Sequence, residues 1–171
     1  SLDGKVSCAS CHDPRKAFSD SLSFSLGSNG AKGTRNAPTL ANVGYHPYFL
    51  REGGVPTLEM QVLVPIEEHL EFNHHILKIV EKLANHNVYQ TMAQKAYGQE
   101  INPYVITRAI ANFERTLISG TSPFDQYHYS SVDNALTNDA KEGMKLFYSE
   151  KTNCSVCHAG FNFTNYSFQN N

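Results

Sequence analysis

The chain has 171 residues, is 40% hydrophobic, and carries 14 basic against 16 acidic residues, a formal net charge of −2. There is no basic excess to hold a nucleic acid, and no block of like charge to make a solvating tail. No apolar run nears the ~20 residues of a membrane span, and the opening SLDGKVSC has neither the apolar core nor the cleavage site of a signal peptide.

In chain order, the first motif is CASCH, with Cys8, Cys11 and His12. Residues 1–56 are otherwise rich in Gly, Ser, Asn and Pro, without a sustained helical period, and read as irregular backbone. Thr57 to Val64 reads as a short helix, with Thr57 as N-cap and Pro65 just past its end. Ile76, Ile79, Val80 and Leu83 form a helical stripe within 74–85. Residues 87–97 continue as a further helix closed by Gly98. Asn102 and Pro103 open the next, with Ile106, Ile110, Phe113 and Leu117 on one face and a stop near Gly120. The loop 122–137 looks like a connection between two units. Thr137 to Ser149 is the last helix, with Met144 and Phe147 inward, and it feeds into CSVCH, with Cys154, Cys157 and His158. No alternating strand pattern appears.

All four cysteines therefore lie in C-x-x-C-H, the attachment signature of c-type haem. Two thiols at that spacing add across the two vinyl groups of one porphyrin. The adjacent imidazole falls beneath the iron as proximal ligand. A four-cysteine zinc site would leave both trailing histidines unexplained. Two disulfides, each between thiols three residues apart, are the other alternative. The expected cofactors are two covalently bound haems. The expected fold is all-α, of cytochrome c-like haem domains. Residues 1–130 form an essentially complete N-terminal domain, and 131–171 begin a second. Only 13 residues follow His158, so the second domain is expected to be truncated. Covalent haem implies a periplasmic protein whose signal peptide is not in this sequence.

The chain resembles the bacterial dihaem cytochrome c peroxidases, the group that includes MauG-like enzymes. The likeness rests on GKVSCASCHDPRKAFSD, SLGSNGAKGTRNAPTLANV, REGGVPTLEMQ, PIEEHLEF, NFERTLISGTSPFDQY and EGMKLFYSEKTNCSVCH, in that order, with FQNN after them. It implies a peroxidase that reduces hydrogen peroxide to water with electrons from a small cytochrome c or cupredoxin. The haem on Cys8, Cys11 and His12 would be peroxidatic, and that on Cys154, Cys157 and His158 the entry point for electrons. Glu71 matches the family's distal glutamate and Gln61 its distal glutamine. A carboxyl over the iron can move a proton from the inner to the outer peroxide oxygen. Read without the likeness, Glu71 is one charge of the acidic run Glu67, Glu68, Glu71. Asn42 matches a position that helps hold calcium, for which an amide oxygen is a suitable hard ligand. A homodimer is left open.

Two departures stand out. Many members carry a blocking histidine where this chain has Ser28, so the resting site is expected to be open without prior reduction. His46, His69, His74 and His75 are candidate substitutes, His69 first. Members also carry a tryptophan between the haems. This chain has none: Leu50 or Arg51 stands there, with Tyr45, Tyr48 and Phe49 as the nearby aromatics. Met60, Met92 and Met144 each fit a helix face and are expected in core packing. The competing functions are a dihaem electron carrier without peroxide chemistry and a MauG-like oxidase.

Overall fold

A computed structural model describes residues 1–169. Among them the regular structure is helical, and β-pairing is confined to isolated antiparallel bridges at Asp13–Ser19, Leu26–Lys32 and Phe49–Val55. Among the described residues no helix is long and apolar enough to cross a membrane. The chain forms two compact units, the first Ser1–Leu117 and the second from Ile118 onward.

The first unit holds α1 (Cys8–Cys11), α2 (Leu58–Gln61), α3 (Leu63–Glu67), α4 (Ile76–Ala84), α5 (Asn87–Tyr97) and α6 (Pro103–Arg115). Their starts follow local chemistry. Thr57 caps α2 by accepting from the Met60 N–H, and Asn102 caps α6 by accepting from the Val105 N–H at 3.0 Å. Gly98 ends α5 in the left-handed conformation, φ 65°, and donates its N–H to the Gln94 carbonyl. Pro65 lies inside α3 rather than past a helix end. In one continuous helix its missing N–H would have bonded to the carbonyl of Gln61. Val62, between α2 and α3, keeps helical dihedrals (φ −53°, ψ −33°), so the two segments run on from one another with the ladder interrupted at the Gln61 carbonyl.

α6 is the spine of this unit and packs on α2, on α4 and on the 3₁₀ turn Val43–Tyr45. Through Ala111, fully buried, it joins one apolar cluster with Val43, Phe49 and Leu58. Through Ile106 it joins another with Val62, Ile66 and Ile76. The small Ala111 lets α2 and the 43–45 turn come close, so Thr107, Ala111 and Glu114 share the buried face. That rotation corrects the expected stripe: Phe113 is 59% exposed, and the helix ends at Arg115 rather than near Gly120. Met60 and Met92 also face outward, not into a core.

One close approach positions the candidate site. A Cβ at Gly27 would collide with the Leu70 carbonyl and come within 2.6 Å of the Glu71 carbonyl. The Ser28 N–H donates to that same Glu71 carbonyl at 2.6 Å. The loop around Ser28 is thus held backbone to backbone against the turn carrying Glu71.

The second unit holds α7 (Pro123–Ser130) and α8 (Asn138–Phe147). Ser122 and Asp125 form a reciprocal capping box on α7, and Thr137 caps α8. Phe124 of α7 packs on Phe163, which also meets Phe147 of α8. Helix α7 therefore belongs to the second compact unit, although it lies within the 1–130 span expected for the first haem domain.

Leu58→Ala is expected to cost about 2–5 kcal/mol, because Leu58 is 2% exposed and joins α2 to α6. A lowered denaturant midpoint with unchanged slope is the check. Gly27→Ala is expected to cost about 1–3 kcal/mol, read in the same titration, because backbone must move to admit the methyl group. An unshifted midpoint in that variant would contradict the close approach.

Candidate haem sites

Cys8 and Cys11 stand one turn apart on α1, with the His12 N–H closing the turn on the Cys8 carbonyl at 2.9 Å. The turn is braced by the Ser7 N–H donating to Ser10 Oγ. None of the four cysteines is joined to another in a disulfide. Partial desolvation raises the Cys8 and Cys11 thiols above their ordinary range.

His12 Nδ1 lies 2.7 Å from the Phe18 carbonyl oxygen. A carbonyl only accepts, so the proton of this bond sits on Nδ1 and the lone pair of Nε2 is left for a metal. Phe18 reaches back because Ala17 and Phe18 both adopt positive φ, 53° and 58°. The hairpin is fastened by the Asp13 N–H to Ser19 and the Phe18 N–H to Asp13.

The second motif uses the same device. Cys154–Val156 forms a 3₁₀ turn, and the His158 N–H bonds to the Cys154 carbonyl at 2.9 Å. His158 Nδ1 lies 3.1 Å from the Phe163 carbonyl, and Phe163 has φ 51°. The return loop spans five residues here against six at His12. An apolar cavity of about 300 Å³ lies in this unit, lined by Phe124, Leu136, Ala140, Met144, Phe147 and Phe163. Two thiols one turn apart and an imidazole with Nε2 free are the donor set that a c-type haem requires, and both motifs have it. Sequence reading missed the roles of Phe18 and Phe163; the only signal was a Phe shortly after each motif.

Glu71 follows α3 in a turn, its N–H bonded to the Glu68 carbonyl. It keeps access to solvent, yet the surrounding protein withdraws enough water to raise its carboxyl above the usual range. The Glu68 carboxylate raises it further, while His12 pulls it down. Its charge also acts on the Cys11 thiol. The fold therefore brings Glu71 into the electrostatic field of the first motif. Gln61 is half-buried at the end of α2, and Asn42 is buried at φ 60° with its N–H on the Leu117 carbonyl.

Ser28 is 2% exposed. Of the candidate substitutes, His69 pairs with Glu68 through Nδ1 at 2.6 Å, and His75 caps α4 by accepting from the Leu77 N–H. Desolvation lowers His46 and His74. Phe49 belongs to the core. Arg51 donates to Asn36 Oδ1 at 2.7 Å. Among the described residues, no three His, Cys, Asp or Glu side chains converge on a metal-sized site.

Sequence reasoning also passed over Glu114. It is 9% exposed on α6, and burial pushes its carboxyl up to about 7. Its charge acts on the Cys8 thiol.

Comparison with known proteins agrees with this geometry. Residues 1–133 match the family described as di-haem cytochrome c peroxidase. The methylamine utilization protein MauG of Methylophilus methylotrophus is 32% identical over 170 residues, covering 98% of this chain and 50% of that protein. The cytochrome c peroxidase of Escherichia coli K12 is 35% identical over 170 residues, covering 99% of this chain and 36% of that protein. A crystal structure of a MauG-like protein associated with microbial copper homeostasis superposes with a TM-score of 0.85 at 31% identity, covering 96% of this chain and 49% of that one. The chain spans about half the length, or less, of these relatives. The all-α haem-domain fold, the paired motifs and the match across most of its length place the chain in the di-haem cytochrome c peroxidase family.

Proposed function

We propose that this chain carries the peroxide site of a periplasmic dihaem peroxidase, which reduces hydrogen peroxide to water with electrons from a small cytochrome c or cupredoxin. The overall balance is one peroxide, two electrons and two protons to two waters. The observation that carries the reading is Glu71, a carboxyl with a raised pKa held in the field of His12.

In this reading the thiols of Cys8 and Cys11 bond covalently to one haem, and those of Cys154 and Cys157 to another. His12 and His158 each present Nε2 to iron, held in place by the Phe18 and Phe163 carbonyls. Haem, when bound, supplies the redox chemistry. Glu71 takes the proton from the inner peroxide oxygen and returns it to the outer one, so that water can leave. Gln61 lines the same side as a neutral polar partner. The haem domains are assigned to 1–130 and 131–171. Asn42 is assigned as one amide-oxygen ligand to calcium; among the described residues no acidic cluster joins it, and no step depends on that ion.

Ser28 decides the resting state. It cannot serve as a strong iron ligand, and its backbone is tied to that of Glu71. The oxidised full-length holoprotein is therefore expected to bind cyanide without prior reduction, seen as a shift in its optical spectrum. Two low-spin haems unmoved by cyanide would favour the electron carrier. Glu71→Gln is expected to lower peroxide turnover by about 10²–10⁴-fold with haem content unchanged. Because the carboxyl is raised, wild-type activity should fall on the acid side at a higher pH than for an ordinary carboxylate, and the variant should lack that limb. Normal turnover in Glu71→Gln overturns the role. Turnover of an organic or protein substrate but not of peroxide alone would favour the MauG-like oxidase.

A further inference from the structure

Glu114 has no part in the reaction as described above, yet it is over nine-tenths buried and its Oε2 has no hydrogen-bond partner. It shares the inward face of α6 with Thr107 and Ala111, the face that meets α2 and the 43–45 turn. The apolar residues of that region are Val43, Phe49, Leu58 and Ala111. The cation beside it in sequence is engaged elsewhere: Arg115 donates to Glu59 of α2 at 2.8 Å and to Asn112 at 3.1 Å. An ionised carboxylate without a partner is costly in such a place, whereas the neutral acid is tolerated.

The other titratable and charged groups near this face are few. Arg115, although paired with Glu59, still favours the charged form of Glu114, but by less than burial disfavours it. His46 closes the 43–45 turn, and desolvation disfavours its charge. Cys8 feels the Glu114 charge, but as a thioether it no longer titrates. What then changes charge beside Glu114 is the haem held by Cys8.

We propose that Glu114 is the redox-linked proton site of the N-terminal haem: when that haem gains one electron from a reductant, the Glu114 carboxylate gains one proton from solvent, and on reoxidation both leave. This rests on the reading that Cys8, Cys11 and His12 hold a haem. The buried carboxyl stays neutral beside a reduced haem and ionises more readily beside an oxidised one, whose extra positive charge it offsets. Both states then keep nearly the same net charge in a poorly solvated place. Tuning the electron affinity of the haem by proton uptake follows from that coupling.

The test is a spectroelectrochemical titration of the full-length holoprotein across the neutral pH range, on wild type, Glu114→Gln and Glu114→Asp. In the wild type the midpoint of the N-terminal haem is expected to fall as pH rises through about 7, the range to which burial raises Glu114. Glu114→Gln should flatten that slope, and Glu114→Asp should restore it. Haem propionates are unaltered in Glu114→Gln, so a slope that survives there belongs to them and overturns the proposal. A pyridine haemochrome assay separates the two readings: absence of haem on the N-terminal motif defeats the haem assignment, whereas full haem with an unchanged slope defeats only Glu114. If Glu114→Gln does not accumulate, the infrared difference spectrum of the wild type carries the test. A protonated-carboxyl band that appears on reduction and moves in Glu114→Asp supports the proposal; no such band overturns it.

Discussion

An imidazole offers two nitrogens, and the one that binds metal is chosen by what the other is doing. In both C-x-x-C-H motifs a backbone carbonyl takes the Nδ1 proton, so Nε2 is the nitrogen that remains. The carbonyl must face back toward the ring, which forces the residue carrying it into positive φ. For phenylalanine that conformation is unfavourable, and a packed surrounding has to maintain it. Much of the irregular backbone around the motifs serves this bond: the Asp13–Ser19 hairpin at the first, and the turn through Gly160 at the second.

The helices answer a different demand. A short irregular loop cannot hold a carboxyl in a chosen place, but it can lean on elements that are rigid. Helix α6 supplies the rigidity by entering two apolar clusters, at Ala111 and at Ile106. The segments that bear Gln61 and Glu71 are then set by α2 and by α3. Glu114 reaches the Cys8 side of the unit because it shares the buried face of α6 with Ala111.

Local rules were legible where a single residue decides the outcome. Thr57, Asn102 and Thr137 begin helices through their side-chain oxygens, and Gly98 ends one because, lacking a Cβ, it takes the left-handed conformation. The haem motifs were legible because their chemistry fixes spacing. Pro65 was misread because a proline can stop one helix or sit in the first turn of the next, and only the packing of both decides. Phe113 was placed inward by periodicity, but the buried face of α6 is set by how closely its neighbours approach Ala111; Met60 and Met92 fit a helical face of α2 and α5 that the structure leaves exposed. Phe18 and Phe163 gave little warning, since nothing in a phenylalanine announces positive φ. Glu114 was overlooked for the opposite reason: a glutamate on an amphipathic helix ordinarily faces water.

The contact at Gly27 gives the Ser28 loop and the Glu71 turn a shared fate. No side chain fits between them, and the Ser28 amide is fastened to the Glu71 carbonyl. The loop is therefore not a flap that swings independently of Glu71; the two form one mechanical part with a single address. Within such a part neither position has slack: Gly27 has backbone where a Cβ would stand, and Ser28, 2% exposed, leaves room only for a small side chain. A bulkier residue at position 28 would therefore press on the Glu71 turn as well as on its own loop.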